Sequence, residues 1–504
     1  MPSLPPTARP LWVAPEVTRP PLEGDVTTDV VVVGGGIAGL TAAVLLARGG
    51  ARVRVLEAGT VGQGTTGAST AKVTALQSTR LSAVRAAHGD DAVVRYTEAQ
   101  LAAQAWIATR AEERSTLCRL ELRDAVTYVT EPHHLDDIEA EVDAAVLAGL
   151  PIEPDDEVPE LPYPVLRGIR LRDQVQLDSR AWAADLAAEL DDLPTATVHE
   201  GSRVTGIDPR GRHVTTADGR VRADHVVVAT LLPITDRGAF FAQLEPAMSH
   251  GIAVTLSEAV ADGFPMAYGE GDSSRSLRTA TTGDGTPVLV VGGAGHTVGR
   301  AADTLSEPEE LLAWATDHFA VDAVTHRWAA HDLRPIDAVP FAGRADRLPG
   351  SPWVMTGFAK WGLTNGTAAA MTVAGRILGT EARPWDGLFD PRRHRGLTGA
   401  REAARLNAEV AREMTVGWVR PTRRRRAVVP CGSPPGTDDC TVSRVCTHLG
   451  GVVRWDAAAG TWDCPLHGSR FDAGGVVVAG PAIRSLRRHD GAPPTDGDPT
   501  TRTR

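Results

Sequence analysis

Two short segments near the C-terminus each offer a cysteine and a histidine in the same order. Cys446-Thr-His448-Leu-Gly-Gly is followed by Cys464-Pro-Leu-His467-Gly-Ser, with 15 residues between His448 and Cys464. One thiolate and one imidazole from each arm make a four-donor set for zinc or iron. Zinc sites of this size more often pair like ligands, two cysteines on one arm and two histidines on the other. A mixed pair on both arms suits a [2Fe-2S] centre in which two thiolates hold one iron and two imidazoles hold the other. Replacing anionic sulfur by neutral nitrogen raises the reduction potential, so such a cluster accepts an electron from a mild donor.

A second redox signature stands at the other end of the chain. Asp29-Val-Val-Val-Val33 is a β-branched run suited to a strand buried on both faces of a parallel sheet. Gly34-Gly-Gly36-Ile-Ala-Gly39 follows at once, then a helical apolar pattern from Leu40 to Arg48, then a second strand, Arg52 to Leu56, ending in Glu57. Strand, glycine turn, helix, strand and terminal acid together form a dinucleotide-binding unit. In it Gly34 makes the tight turn, Gly36 lets the backbone approach a pyrophosphate, and Gly39 lets helix and strand pack closely. The helix N-terminus faces the phosphates, and Glu57 is placed to take the ribose hydroxyls.

The loops CTHLGG and CPLHGSRF resemble the two cluster-binding loops of Rieske proteins. The resemblance implies that Cys446 and Cys464 hold one iron, His448 and His467 the other, and that Ser469 hydrogen-bonds a bridging sulfide. High-potential members carry a further cysteine in each loop, joined as a disulfide; Gly451 and Leu466 stand in those places here. That departure is similar to the ferredoxin-like branch and implies a potential in the lower part of the Rieske range. Upstream, Cys431 and Cys440 sit in an irregular Pro/Gly-rich stretch and read as two thiols, with extra ligation or a disulfide as the alternative.

The N-terminal two thirds is similar to the FAD-dependent D-amino-acid oxidase superfamily, which includes glycine and sarcosine oxidases. Gly62-Gln-Gly-Thr-Thr-Gly-Ala-Ser-Thr70-Ala-Lys72 resembles its second phosphate- and flavin-contacting stretch. The segment from Glu200 through Val204 resembles the strand whose backbone contacts adenine, and Asp224 to Thr230 the strand that returns to the FAD domain. Met355 to Gly366, with Thr364, resembles the C-terminal flavin motif, whose helix N-terminus points at the isoalloxazine. The likeness runs from about residue 27 to 380 and implies FAD as cofactor, with oxidation at the carbon beside an amine. It marks Arg334 as a carboxylate anchor and places Lys72 and Lys360, the two lysines of the chain, within flavin-contacting motifs.

The expected architecture is α/β: an FAD-binding Rossmann-like domain, an α+β substrate domain, and a small all-β Rieske domain. A Pro-rich arm spans 1–25 and the oxidoreductase part 26–418. Its FAD-binding pieces fall at about 26–85, 165–235 and 340–380, with a helical insertion from Leu81 to about 150 and a substrate domain at about 236–339. An Arg-rich linker at 419–430, the cluster domain at 431–486 and a disordered tail at 487–504 complete the chain. Val288–Gly299 contains a G-x-G-x3-G but reads as a strand of the substrate domain, because the next helix begins only near Ser306; His296 within it reads as solvated.

Composition narrows the function classes. A net charge of −11 with 42% apolar and 23% charged residues excludes a nucleic-acid partner and fits a globular enzyme without an integral membrane segment. The glycine-rich Val30–Ala47 is a nucleotide-binding unit rather than a membrane span. Five cysteines, two of them committed to metal, fit a cytoplasmic location. The resulting expectation is an enzyme that oxidises a small amine or amino acid at FAD and passes electrons to its own [2Fe-2S] cluster and then to an unknown acceptor. The alternatives are an electron-transfer protein serving a partner enzyme, and an oxidase using O2 with a vestigial cluster domain.

Overall fold

The β-branched run becomes the central strand of a mostly parallel sheet. In this computed structural model, which describes residues 2–13, 17–114, 118–419, 431–432 and 441–489, strand Gly24–Val33 pairs in parallel with Gly219–Val228 on one side and Val53–Leu56 on the other. Val30 to Val33 are at most 3% exposed, as a strand covered on both faces requires. Ala196–His199 extends one edge, and Trp353–Thr356 with Phe341–Arg344 the other. Helices Ile37–Arg48 and Gly362–Leu378 pack together, both nearly wholly buried, which is why neither shows a clean polar face.

The second sheet is larger and built mainly of antiparallel strands. Its order is Val321–Pro335, Leu244–Leu256, Pro287–Thr297, Arg275–Thr281, Met266–Glu270, Glu121–Val129, Arg167–Gln176 and Lys72–Val73. The segment Val288–Gly299 thus lies largely in a strand, and helix Ser306–His318 follows it. Two boundaries are corrected. The expected helical insertion at 81–150 also supplies strand Glu121–Val129, and the piece expected to rejoin the FAD domain at 165 begins with strand Arg167–Gln176 of the second sheet. These strands pair with each other across nearly forty residues of chain, and Lys72–Val73 adds to the same edge. The hydrogen bonds that recruit them are long-range and leave no local periodicity to read.

The Pro-rich arm packs on the body. Leu11 and Trp12 are buried in the main core, and Trp12 Nε1 donates to the Ser69 carbonyl at 2.6 Å. Arg19 pairs with Asp191 at 2.7 Å. Proline fixed the local backbone, but aromatic burial decides where the segment lies.

Helix Gly396–Val419 leads from the body to the cluster domain, where Val410 and Met414 pack on the small core. That domain holds an antiparallel four-stranded sheet, Arg454–Asp456, Thr461–Asp463, Arg470–Phe471 and Val477–Ala479, with a two-stranded ladder of 431–432 on Val442–Ser443. Most of the linker expected at 419–430, the pairing of Cys431 with Cys440, and most of the tail at 487–504 lie outside the described residues. Among the described residues no helix is long and apolar enough to cross a membrane.

Because Trp12 anchors the arm onto the loop that carries Ser69, Trp12→Ala should cost roughly 3 kcal/mol of stability and weaken FAD retention. Thermal unfolding and flavin content of the purified variant check this; an unchanged melting temperature would mean that the arm is detached.

Candidate functional site

The glycine-rich turn is shaped by close backbone contacts. Gly34 has φ +112°, and a side chain there would stand 2.4 Å from the Ala229 carbonyl oxygen. At Gly39 a Cβ would come within 2.0 Å of the Gly34 carbonyl oxygen, so strand and helix touch through bare backbone. Gly36 has an ordinary φ of −87° and meets only Thr66 Oγ1, at 3.2 Å, which leaves the mouth of the turn clear. The Glu57 carboxylate accepts from Gly35 N at 2.7 Å and Gly59 N at 2.8 Å, tying the turn to the following loop.

Above the turn lies a cavity of about 500 Å³. Gly34, Gly36, Glu57, Val204, Lys72 and Lys360 all line it, so six residues marked from sequence are brought together. Gly39 lies beneath it as a packing contact. Two others turn away. Thr364 is buried, with Oγ1 accepting from Gln77 Nε2 at 2.8 Å, and the helix start meets the cavity through Gly362 and Leu363 instead. Arg334 is exposed at the end of its strand and borders a separate hollow of about 250 Å³ with Arg80, Glu245 and Arg405. The residues of that motif that do face the cavity are His331 and Asp332.

Lys72 is buried, and its Nζ donates to the Ala267 carbonyl at 2.7 Å. Burial first, and the Arg278 guanidinium second, push the amine well below the usual lysine range. Arg278 was not singled out in the sequence. It is buried and donates to the carbonyls of Thr70, Ala71 and Leu177, clamping the loop that ends in Lys72. An arginine in a short strand that also carries Arg275 gives no signal of that role.

The paired loops bring Cys446, His448, Cys464 and His467 together. The two thiols, 3% and 2% exposed, lie within hydrogen-bond reach of each other; that contact draws the Cys446 thiol down and pushes the Cys464 thiol up. The rings of His448 and His467 are 5.3 Å apart and both meet the edge of Phe241, a residue of the body, at 5.2 and 5.0 Å. His448 Nδ1 is buried without a partner, while Nε2 lies 3.0 Å from Asp236 Oδ1 of the body. Burial chiefly, then His448, lowers His467 to about 4, so its ring is neutral and able to ligate. Two buried thiols, two neighbouring imidazoles and an orphan Nδ1 fit a [2Fe-2S] cluster. A Cβ on Gly451 would meet the Leu466 side chain at 2.6 Å, so leucine fills the space that a cross-link would take.

The cluster loops and the cavity share a wall. A side chain on Gly468, at φ +75°, would stand 2.5 Å from Pro246 Cβ and 3.2 Å from His331 Nε2. Arg470, Ala482 and Ile483 of the cluster domain line the cavity itself. Arg300 Nε donates to the Pro465 carbonyl at 3.0 Å, and Arg454 Nη1 to the Gly299 carbonyl at 3.0 Å, securing the seam. His331 is buried with both ring nitrogens unpartnered, and burial, with Arg470 second, lowers it to about 3.

The model of the FAD dependent oxidoreductase family matches residues 29–376, and that of the Rieske [2Fe-2S] domain residues 436–490. A Bacillus subtilis protein named as a Rieske 2Fe-2S iron-sulfur protein, YhfW, is 27% identical over 497 residues, covering 94% of this chain and 95% of its own length. The cytochrome b6-f complex iron-sulfur subunit 1 of a Nostoc species is 56% identical over 48 residues, 10% of this chain and 27% of that protein. Glycine oxidase from Geobacillus kaustophilus has a similar fold, with a TM-score of 0.60 at 18% identity over 73% of this chain and all of that one. L-proline dehydrogenase from P. horikoshii gives 0.58 at 19% identity over 73% and 98%.

An unfolded histidine protonates near 6.5, whereas His331 stays neutral in the fold to about 3. Its folded pKa is the lower one, so the stability of the wild type falls as pH drops through that window. His331→Gln lacks this penalty, and urea denaturation at stepped pH should show the variant gaining on the wild type as pH falls. A stability gap independent of pH would contradict a buried, neutral His331.

Proposed function

The chain belongs to the FAD dependent oxidoreductase family and carries a Rieske [2Fe-2S] domain, and from that premise we propose that it oxidises a small amine or amino acid and sends the electrons to its own cluster. Its cofactors are FAD and a Rieske [2Fe-2S] cluster. Bound FAD would supply hydride acceptance from the substrate, and a bound cluster one-electron acceptance. The observation that carries the reading is the shared wall: His331 lines the cavity and also abuts Gly468, next to His467.

Within the proposed division, residues 26–418 do the oxidation and 431–486 receive the electrons. Gly34, Gly36 and Glu57 would seat the dinucleotide, with Val204 on the cavity wall near its adenine end. Cys446, His448, Cys464 and His467 would hold the irons. The second-sheet wall of the cavity carries Lys72 and Tyr268, whereas Arg334, expected as the carboxylate anchor, borders the separate hollow. Lys72 Nζ, driven toward its neutral form while donating to Ala267, can accept a proton from an incoming ammonium. Lys360, at the cavity edge, supplies positive charge. The amine class follows from the fold neighbours, a glycine oxidase and a proline dehydrogenase, and from this wall. Five cysteines, two of them committed to metal, support a cytoplasmic location.

The test is anaerobic single turnover against a panel of small amines and amino acids. Flavin absorbance should bleach first and the cluster afterwards. His467→Ala, which removes an imidazole from the cluster loops, should keep flavin bleaching within about threefold of wild type yet lose onward transfer to a one-electron acceptor by more than about a hundredfold. Unchanged acceptor turnover in a variant shown to lack its cluster would overturn the proposal, as would a panel that never bleaches the flavin.

A further inference from the structure

On the second sheet, separate from the paired loops, two strands and a helix bring His250, His296 and Glu307 together. His250 lies on Leu244–Leu256, His296 on the neighbouring strand Pro287–Thr297, and Glu307 in the first turn of Ser306–His318. The imidazole rings are 5.9 Å apart and inclined by 30°. Glu307 Oε2 stands 2.6 Å from His296 Nδ1 and 2.7 Å from His250 Nε2. The three side chains are 2, 11 and 16% exposed in the order His250, His296, Glu307.

Hydrogen bonding leaves the group incomplete. His296 Nδ1 bonds the carboxylate, but His250 Nε2, close to the same oxygen, lies off the hydrogen-bond direction and is a buried nitrogen without a partner. Burial alone would raise the Glu307 carboxyl; the imidazoles of His250 and His296 more than offset this and hold it below its ordinary value, so an anion is kept inside the protein. A buried carboxylate shared by two imidazoles at 2.6 and 2.7 Å is a three-donor set of the kind that ligates a metal.

We propose that His250, His296 and Glu307 bind a divalent transition-metal ion beside the FAD cavity. Two imidazoles and one carboxylate form the protein part of catalytic zinc sites and of non-haem iron(II) sites, with the remaining positions open to water or ligand. The three donor atoms already lie within 4.8 Å of one another. Bonds of about 2.0–2.2 Å in tetrahedral geometry set ligand atoms roughly 3.3 Å apart. Glu307 therefore needs to withdraw by about 0.6 Å from each imidazole, and the two imidazole nitrogens, within 4.8 Å of each other, close on the ion by side-chain rotation. His250 lines the cavity, so the ion borders the chamber in which substrate is held. The site does not depend on electron transfer between the cofactors.

A second group, His133, His134 and Asp272, lies at the surface. There His134 already uses both ring nitrogens, on Asp137 and Asp272 at 2.9 and 3.3 Å, so it has no unmet donor.

The test uses the holoenzyme with FAD and cluster filled, freed of loose metal by a chelator and titrated with Co²⁺. Ligand-field bands should grow to saturation in the wild type, be displaced by Zn²⁺, and leave the cluster EPR signal unaltered. His296→Ala and Glu307→Gln should each lower Co²⁺ affinity by more than the roughly 10–100-fold that partners of metal ligands cost. His134→Ala should leave it unchanged. Should Glu307→Gln fail to fold, His296→Gln and the Zn²⁺ displacement in the wild type decide the matter. No bands in the wild type under excess Co²⁺, or bands lost in His134→Ala and kept in His296→Ala, would overturn the proposal.

Discussion

The placement of one redox centre over the other depends on the absence of a side chain at Gly468. This residue follows His467 directly, adopts φ +75°, and lies flat on Pro246 and His331. Any β-carbon there would overlap the proline and force the loop off the body. The adjoining contacts work only at that separation: Arg300 on the Pro465 carbonyl, Arg454 on the Gly299 carbonyl, and Asp236 on His448 Nε2. Each is a modest interaction on its own. Together they fix a small domain against a cavity that its residues Arg470, Ala482 and Ile483 help to close.

The same seam accounts for the polar atoms that the fold leaves without partners. His331 is desolvated between cavity and cluster domain with both nitrogens free, and His448 Nδ1 is free where a metal would stand. Buried orphans of this kind cost stability and persist where a bound group or a functional contact compensates. The FAD-side loop shows the converse. Arg278 there is buried and donates to four carbonyls at once, three of them those of Thr70, Ala71 and Leu177, so that loop is held ready before any ligand arrives.

Much of this was legible in the sequence wherever chemistry fixes residue type and spacing within one loop. The Cys-His arms and the turn from Gly34 to Gly39 are of that kind, since their partners lie a few residues away. The second sheet was not legible: Glu121–Val129 and Arg167–Gln176 find each other across an intervening helix, and Lys72–Val73 joins from a separate segment. Nor did the motif around Arg334 reveal which of its side chains faces the cavity. Burial at the end of a long strand, not composition, turned His331 and Asp332 inward and left Arg334 outside. The cluster of His250, His296 and Glu307 was equally hidden, because its members come from three elements and His296 alone looks solvated. The docking of the Pro-rich arm was not legible either, because its anchors, Leu11 and Trp12, are only two.

The central claim is that flavin and cluster exchange electrons within one molecule, across the wall formed by His331 and Gly468. Flash photoreduction of the flavin without any organic substrate, followed by cluster absorbance over a dilution series, tests it most directly. The account predicts cluster reduction at a rate constant independent of protein concentration. A rate that falls in proportion to dilution, or a cluster that stays oxidised while the flavin remains reduced, would contradict it.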